Sequence, residues 1–249
     1  MNERRDPFQD AAGVFSTTEM NETGGRSATR KVFWLAWEEP ERRMEVQTLD
    51  ESLAPVGPTR SVDLETFLQI FEPEPEVFVQ ALLASLGRDA GRAGDRLRKP
   101  ATAGTSGELA GQAAARLEIG IRASFRQAME LHARGELGKA SDILNRLLRI
   151  EAPFEAAHKH LFNDCGIALR KSRELDQALK FYRRAAKLCA DDEHLFHNIA
   201  RAYFEKGDIE NAFRNLRRCL ELNPALPEAK KFWRYLQKRP KPGSPAAGE

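Results

Sequence analysis

From Lys31 to Glu39 the chain reads KVFWLAWEE. Val32, Trp34 and Ala36 alternate with Phe33, Leu35 and Trp37, and both sets are apolar. That pattern predicts a strand buried on two faces. A turn-like EPERR follows, then MEVQTLDE, where Met44, Val46 and Thr48 alternate with Glu45, Gln47 and Leu49. This is the period of a half-buried strand, so the two segments predict a hairpin. In SVDLETFLQIF, Leu64, Phe67, Leu68 and Phe71 share one helical face, with Ser61 as the expected cap. After EPEP a second helix is expected from about Glu76 to Leu86, with Pro75 in its first turn and Gly87 as its stop. An isolated hairpin is marginal in water, so these helices are expected to cover it.

The flanking composition sets the boundaries. Residues 1–29 are polar, with few large apolar groups, and are expected to be disordered. Residues 30–87 form the hairpin-plus-helix module. Residues 88–105 shift to Gly, Ala, Arg and Thr and read as a flexible linker, whose Arg88, Arg92, Arg96 and Arg98 are taken as solvated. Residues 106–239 are helical throughout. They open with ELAGQAAARLEIGIRASFRQAMELHARG, which reads as one long helix or as two broken near Gly120. Residues 240–249 are expected to be a disordered tail.

The helical half repeats itself. Ala212 falls on Ala178 at an offset of 34, and with it Phe196 falls on Phe162, Ala200 on Gly166, Tyr203 on Leu169, Leu216 on Tyr182 and Cys219 on Ala185. Ala140 precedes Ala178 by 38, which leaves four extra residues in the APFEAA connection. Close helix crossings need small side chains, here Gly166, Ala178, Ala200 and Ala212, while the aromatics and Leu216 fill the space between repeats. Gly135 and Gly207 permit a positive φ after each first helix, and Pro224 ends a second helix. A period of 34 with these residue types resembles the tetratricopeptide repeat superfamily. The unit from about Glu193 to Pro224 resembles it most closely. The unit from about Lys159 to Asp192 has Arg173 at the turn Gly position and Ala190 at that of the Pro. The unit from about Ile121 to Pro153 has Ser124 at the place of the front aromatic. The expected fold is therefore mainly α: a tetratricopeptide-type α-solenoid of three helix–turn–helix repeats with PEAKKFWRYLQKR as a capping helix, preceded by a small acidic α+β module.

The resemblance implies a concave groove lined by the first helix of each repeat, holding a peptide or helix of another protein. Its positions fall on Arg122, Phe125, Arg126, Met129 and His132 in the first repeat. In the second they are His160, Asn163, Asp164, Ile167, Arg170 and Lys171. In the third they are His194, His197, Asn198, Arg201 and Phe204, and in the cap Lys231, Phe232, Tyr235 and Lys238. Basic groups outnumber acidic ones there, with apolar anchors between them, which suits an acidic, partly hydrophobic partner. The carboxylate clamp of some co-chaperones in the family is not reproduced. Phe125 and Met129 stand at its first Lys and Asn places and Asp164 at its second Asn place, so no Hsp70 or Hsp90 tail is expected.

Charge sharpens this picture. The net charge is +2, yet residues 31–87 hold 4 basic and 11 acidic side chains and residues 119–241 hold 25 basic and 16 acidic. The acidic module is thus expected either to recruit a second protein or to fold back over the basic groove. In the second case deleting residues 1–105, or adding salt, should strengthen partner binding. Binding of nucleic acid through the basic repeats and the Arg-rich linker is the alternative, and an enzyme hidden in the front module a further one. The basic residues are spread around the helices and no phosphate loop, nucleophile elbow, HExxH or dinucleotide fingerprint occurs, so an adaptor without catalytic activity or cofactor is preferred. His160, Asp164, His194 and His197 have spacings that a metal could bridge, but they are read as polar groove lining, and no metal is expected. Cys165 and Cys219 replace small apolar repeat residues and read as core fillers. An odd cysteine count, no membrane-length apolar run and no secretory signal point to the cytoplasm.

Overall fold

A computed structural model describes residues 7–8, 11–23, 26–96, 103–152 and 154–238. The chain divides into two compact units, Met1–Ala152 and Pro153–Glu249.

The first unit is built on an antiparallel sheet of five strands: β1 (Gly13–Thr23), β2 (Arg26–Glu39), β3 (Arg43–Leu49), β4 (Pro55–Asp63) and β5 (Glu72–Pro73), in the order β4-β3-β2-β1-β5. The expected hairpin is its centre, with Trp34 opposite Thr48 on β3 and Phe15 on β1. The two apolar alternations of β2 sort onto two cores. Leu35, with Phe33 and Trp37, packs among Phe8, Val14, Phe78 and Leu82. Trp34 and Ala36, with Val32, pack among Phe15, Met44, Val46 and Phe67. Residues 13–23 are a strand and not the disordered segment expected: Val14 and Phe15 are buried, and Thr17 and Thr18 supply β-branched side chains. β4 carries Pro55, Gly57 and Pro58, which suit an edge strand and erase any alternation. Ser61 belongs to this strand. The helix after it, α1 (Leu64–Ile70), is capped by Asp63, which accepts from the Thr66 amide at 2.8 Å.

Three further helices complete the unit: α2 (Pro75–Arg96), α3 (Ala103–Ala133) and α4 (Leu137–Arg149). Gly87 does not stop α2, and α3 runs unbroken through Gly120. Most of the expected linker is therefore helical backbone, because Ala and Arg are strong helix formers; residues 97–102 lie outside the described residues. Gly120 marks a close crossing, since a Cβ there would meet Leu82 at 3.1 Å and Phe78 at 3.3 Å. The buried carboxylate of Glu74 ties the unit together. It accepts from Ser16 Oγ at 2.8 Å and pairs with Lys31 and Arg146, while Arg146 also donates to Glu76 at 2.8 Å and to the Pro73 carbonyl at 2.8 Å. The first helix–turn–helix pair, α3–α4, is thereby part of the same unit as the acidic sheet. The unit boundary falls at Ala152/Pro153, within the longer APFEAA connection, and not at the linker expected over 88–105.

The second unit contains α5 (Lys159–Lys171), α6 (Leu175–Leu188), α7 (Glu193–Glu205), α8 (Ile209–Leu222) and α9 (Pro227–Gln237). Each helix pair closes with the same two backbone bonds. Gly207 N donates to Phe204 O at 3.0 Å and Asp208 N to Tyr203 O at 2.9 Å; Arg173 N and Glu174 N repeat this at 3.1 and 2.9 Å. The α3–α4 turn, through Gly135 and Glu136, does so at 3.0 and 2.9 Å. These are Schellman-type stops, with a residue in the left-handed region at each. Ala200, Ala212, Leu216 and Cys219 form the core of α7–α8, and Leu226, Ala229 and Leu236 extend it into α9. Phe154 begins the unit by packing on Phe162 and His158. The expected tail over 240–249 lies outside the described residues.

Candidate functional site

In the second unit α5, α7 and α9 are the first helix of each repeat and the cap, so they carry the expected groove positions. The structure sorts these side chains into two groups. Some are committed to the stack. Asn198 Nδ2 donates to Asn163 Oδ1 at 3.1 Å, joining α7 to α5. Arg170 is buried and paired with Glu205, so its guanidinium is less open than its position suggests. Ile167 is half-buried. The others face outward. His160, Lys171, His194, Arg201, Lys231 and Lys238 are exposed, and among the described residues Lys171, Arg201, Lys231 and Lys238 have no ion-pair partner. His194 lies 3.8 Å from its neighbour Glu193.

An aromatic cluster runs between α7 and α9. Phe204 meets Phe232 edge-on at 5.5 Å and Tyr235 at 5.7 Å, and His197 meets Phe232 at 5.9 Å. Tyr235 remains 47% exposed. The cluster is a preformed apolar surface with a polar edge, the kind of anchor point that carries binding energy at interfaces. His197 is half-buried. Its pKa lies below the ordinary 6.5 because burial and the Arg201 guanidinium both disfavour the imidazolium. Beneath this face Tyr182 is fully buried, and burial pushes its phenol up against the opposing effect of Arg170. Among the described residues no group of three or more His, Cys, Asp or Glu is arranged to hold a metal ion, and no helix is long and apolar enough to cross a membrane.

In the first unit, Arg122 lies 3.9 Å from Glu118, one turn earlier on α3. Phe125, Met129 and His132 are half-buried. Arg126 does not stand free: it pairs with Glu38 of β2 at 3.8 Å, and with Gln127 it lines a small cleft that Phe15, Met44 and Phe67 share. Sequence reasoning passed over Glu205, one residue beyond a predicted groove position, and Arg173, noted only as a departure from the turn Gly. The Glu74–Arg146 network had no local signal, because its members lie 72 residues apart. Cys165 and Cys219 are buried fillers, and burial raises the Cys219 thiol to about 11.

The family model for the tetratricopeptide repeat matches residues 193–226, which are α7, α8 and the connection to α9. Over 99 residues, 40% of this chain, the sequence is 28% identical to DnaJ homolog subfamily C member 3 of Gallus gallus, and the match spans 19% of that protein's length. Among solved structures, the first repeat domain of Spaghetti (RPAP3) bound to an HSP90 peptide is 18% identical, covering 47% of this chain and 90% of that one at a TM-score of 0.34. The Yersinia enterocolitica type III secretion chaperone SycD, in complex with a peptide of the translocator YopD, is 17% identical, covering 47% and 86% at a TM-score of 0.31. The family match falls on a helix pair whose turn bonding recurs in α3–α4 and α5–α6. Residues 193–226 are thus a unit of the tetratricopeptide repeat type.

Proposed function

We propose that this chain is a cytoplasmic, non-catalytic adaptor or chaperone-like protein that binds an acidic, partly hydrophobic segment of a partner protein along the α5, α7 and α9 face. The observation that carries this reading is the combination of exposed cations that have no ion-pair partner among the described residues, Lys171, Arg201 and Lys231, with the half-open aromatic cluster of Phe204, Phe232 and Tyr235. Cations that the fold does not neutralise steer an acidic segment and select it, while aromatic surface supplies the contact that slows its departure. The acidic sheet acts in this reading as a cap on the first helix pair.

Random peptides selected for binding to the full chain should be enriched in Glu or Asp beside aromatic or leucine residues. A Lys171→Glu, Arg201→Glu, Lys231→Glu variant should weaken the selected peptides by at least roughly tenfold, or about 1.4 kcal/mol, with an unchanged melting temperature. Selection without acidic enrichment, or unaltered affinity in the variant, would defeat the reading.

A further inference from the structure

One turn of the stack breaks the rule that its neighbours keep. The residue in the left-handed region is Gly135 (φ 83°) after α3 and Gly207 (φ 87°) after α7, but Arg173 (φ 67°) after α5. Glycine adopts this conformation freely, whereas a side chain with a Cβ is strained in it. Local contacts do not repay the strain. The Arg173 side chain is 78% exposed, and among the described residues its one ion pair is a long approach of 3.9 Å to Glu205. Backbone strain of this kind clusters at binding and switch sites, where it serves a purpose other than stability.

That purpose is visible beside the turn. The C-terminal ends of α5 and α7 border an open cleft lined by Arg170, Lys171, Arg173, Phe204 and Glu205. Three cations face a single carboxylate, and Glu205 is already shared between Arg170 and Arg173. Among the described residues Lys171 has no ion pair and the buried Arg170 Nε has no acceptor. The cleft therefore lacks negative charge, and Phe204 gives it an apolar floor.

We propose that this cleft seats a glutamate or aspartate side chain of the partner peptide, with the adjoining apolar residue resting on Phe204, and that Arg173 is kept in its strained turn for this contact. The proposal rests on the peptide-binding reading above. It favours a peptide over nucleic acid because the cleft already holds the Glu205 carboxylate among its cations, whereas a phosphodiester chain needs an uninterrupted run of them.

The test uses the full chain and two fluorescein-labelled probes, Glu-Glu-Phe-Glu-Glu amide and its Gln-Gln-Phe-Gln-Gln counterpart, read by fluorescence anisotropy. The wild-type chain should prefer the acidic probe. Arg173→Gly should raise the melting temperature by a few degrees and weaken the acidic probe by about three- to tenfold, with the neutral probe unmoved. Lys171→Gln should weaken the acidic probe without any gain in stability. Unchanged affinity in Arg173→Gly overturns the proposal; if Arg201→Glu still abolishes binding, the groove reading survives alone. Equal wild-type affinity for both probes overturns the two together. A single-stranded oligonucleotide that displaces the acidic probe, and whose own binding falls in Arg173→Gly, reassigns the cleft to phosphate.

Discussion

At the scale of single residues, the repeat is held together by size as much as by polarity. A Cβ on Gly166 would stand 2.6 Å from Tyr182 Cε1, and the Tyr182 ring is fully buried, with no room to swing aside. Gly166→Ala, a change that favours an exposed helix, should here cost about 1–3 kcal/mol through overpacking. Urea unfolding followed by circular dichroism measures it, and an unmoved midpoint would show that α5 and α6 separate freely. His197 sets a second residue-scale expectation. Its folded pKa lies below the ordinary 6.5, with burial as the main cause and Arg201 next. Between the two values the unfolded chain binds more protons than the folded one, so stability falls as pH drops below 6.5 and is undiminished above it. His197→Gln should flatten that decline in melts compared at pH values of about 7.5 and 5.5. An identical acid slope in the variant would place the effect elsewhere.

At the scale of elements, legibility followed locality. The second-unit helices could be read because their period, their small residues and the turn residue Gly207 lie within one repeat of each other, and β2 because both of its alternations are apolar and both of its faces are covered. β1 and β4 could not be read so: the outer part of β1 is polar, and β4 is an edge strand interrupted by Pro and Gly whose side chains are mostly exposed. The groove was legible as positions but not as states. No local pattern announces that Arg170 is consumed by Glu205 or that Asn163 and Asn198 bind each other. Distance hid the Glu74 network as well, although it joins β1, β2 and α4 at one carboxylate. Burial pushes the Glu74 pKa up, but hydrogen bonds from Lys31, Ser16 and Arg146 outweigh this and hold it below the ordinary 4.5. The stability it supplies is present above pH 4.5 and is lost as pH falls through the lower folded value. Glu74→Ala should cost about 3 kcal/mol, the low end for breaking a buried pair, since Arg146 keeps Glu76. Faster amide exchange along α4 is the expected signature, and native-like protection there would show the network to be dispensable.

At the scale of the whole molecule, the charge asymmetry suggested an acidic module that swings over a basic groove and is released by salt. The geometry within the first unit calls for a different experiment. One link that joins the two charges directly, Arg126 to Glu38, spans 3.8 Å with both side chains more than half exposed, and such pairs contribute little. The other contacts that hold the first helix pair within the unit are apolar or buried: Gly120 and Ala123 beside Phe78 and Leu82 of α2, and Arg146 on Glu74. Salt screens exposed charges and strengthens apolar burial, so it should leave the first unit intact. Deleting residues 1–105, in contrast, removes the cover from Gly120 and Ala123 on α3 and the partners of Arg146 on α4. A terminal repeat stripped of its cap loses the neighbour against which its apolar face is buried. Hydrogen exchange of the deletion variant should therefore show rapid exchange over residues 107–149, while the amides of α5 to α9 keep their protection. Moderate salt on the full chain should change neither region. If α3 and α4 stay protected after the deletion, the first helix pair stands without the sheet, and the acidic module is again a separable piece whose charge, and not its packing, explains its presence.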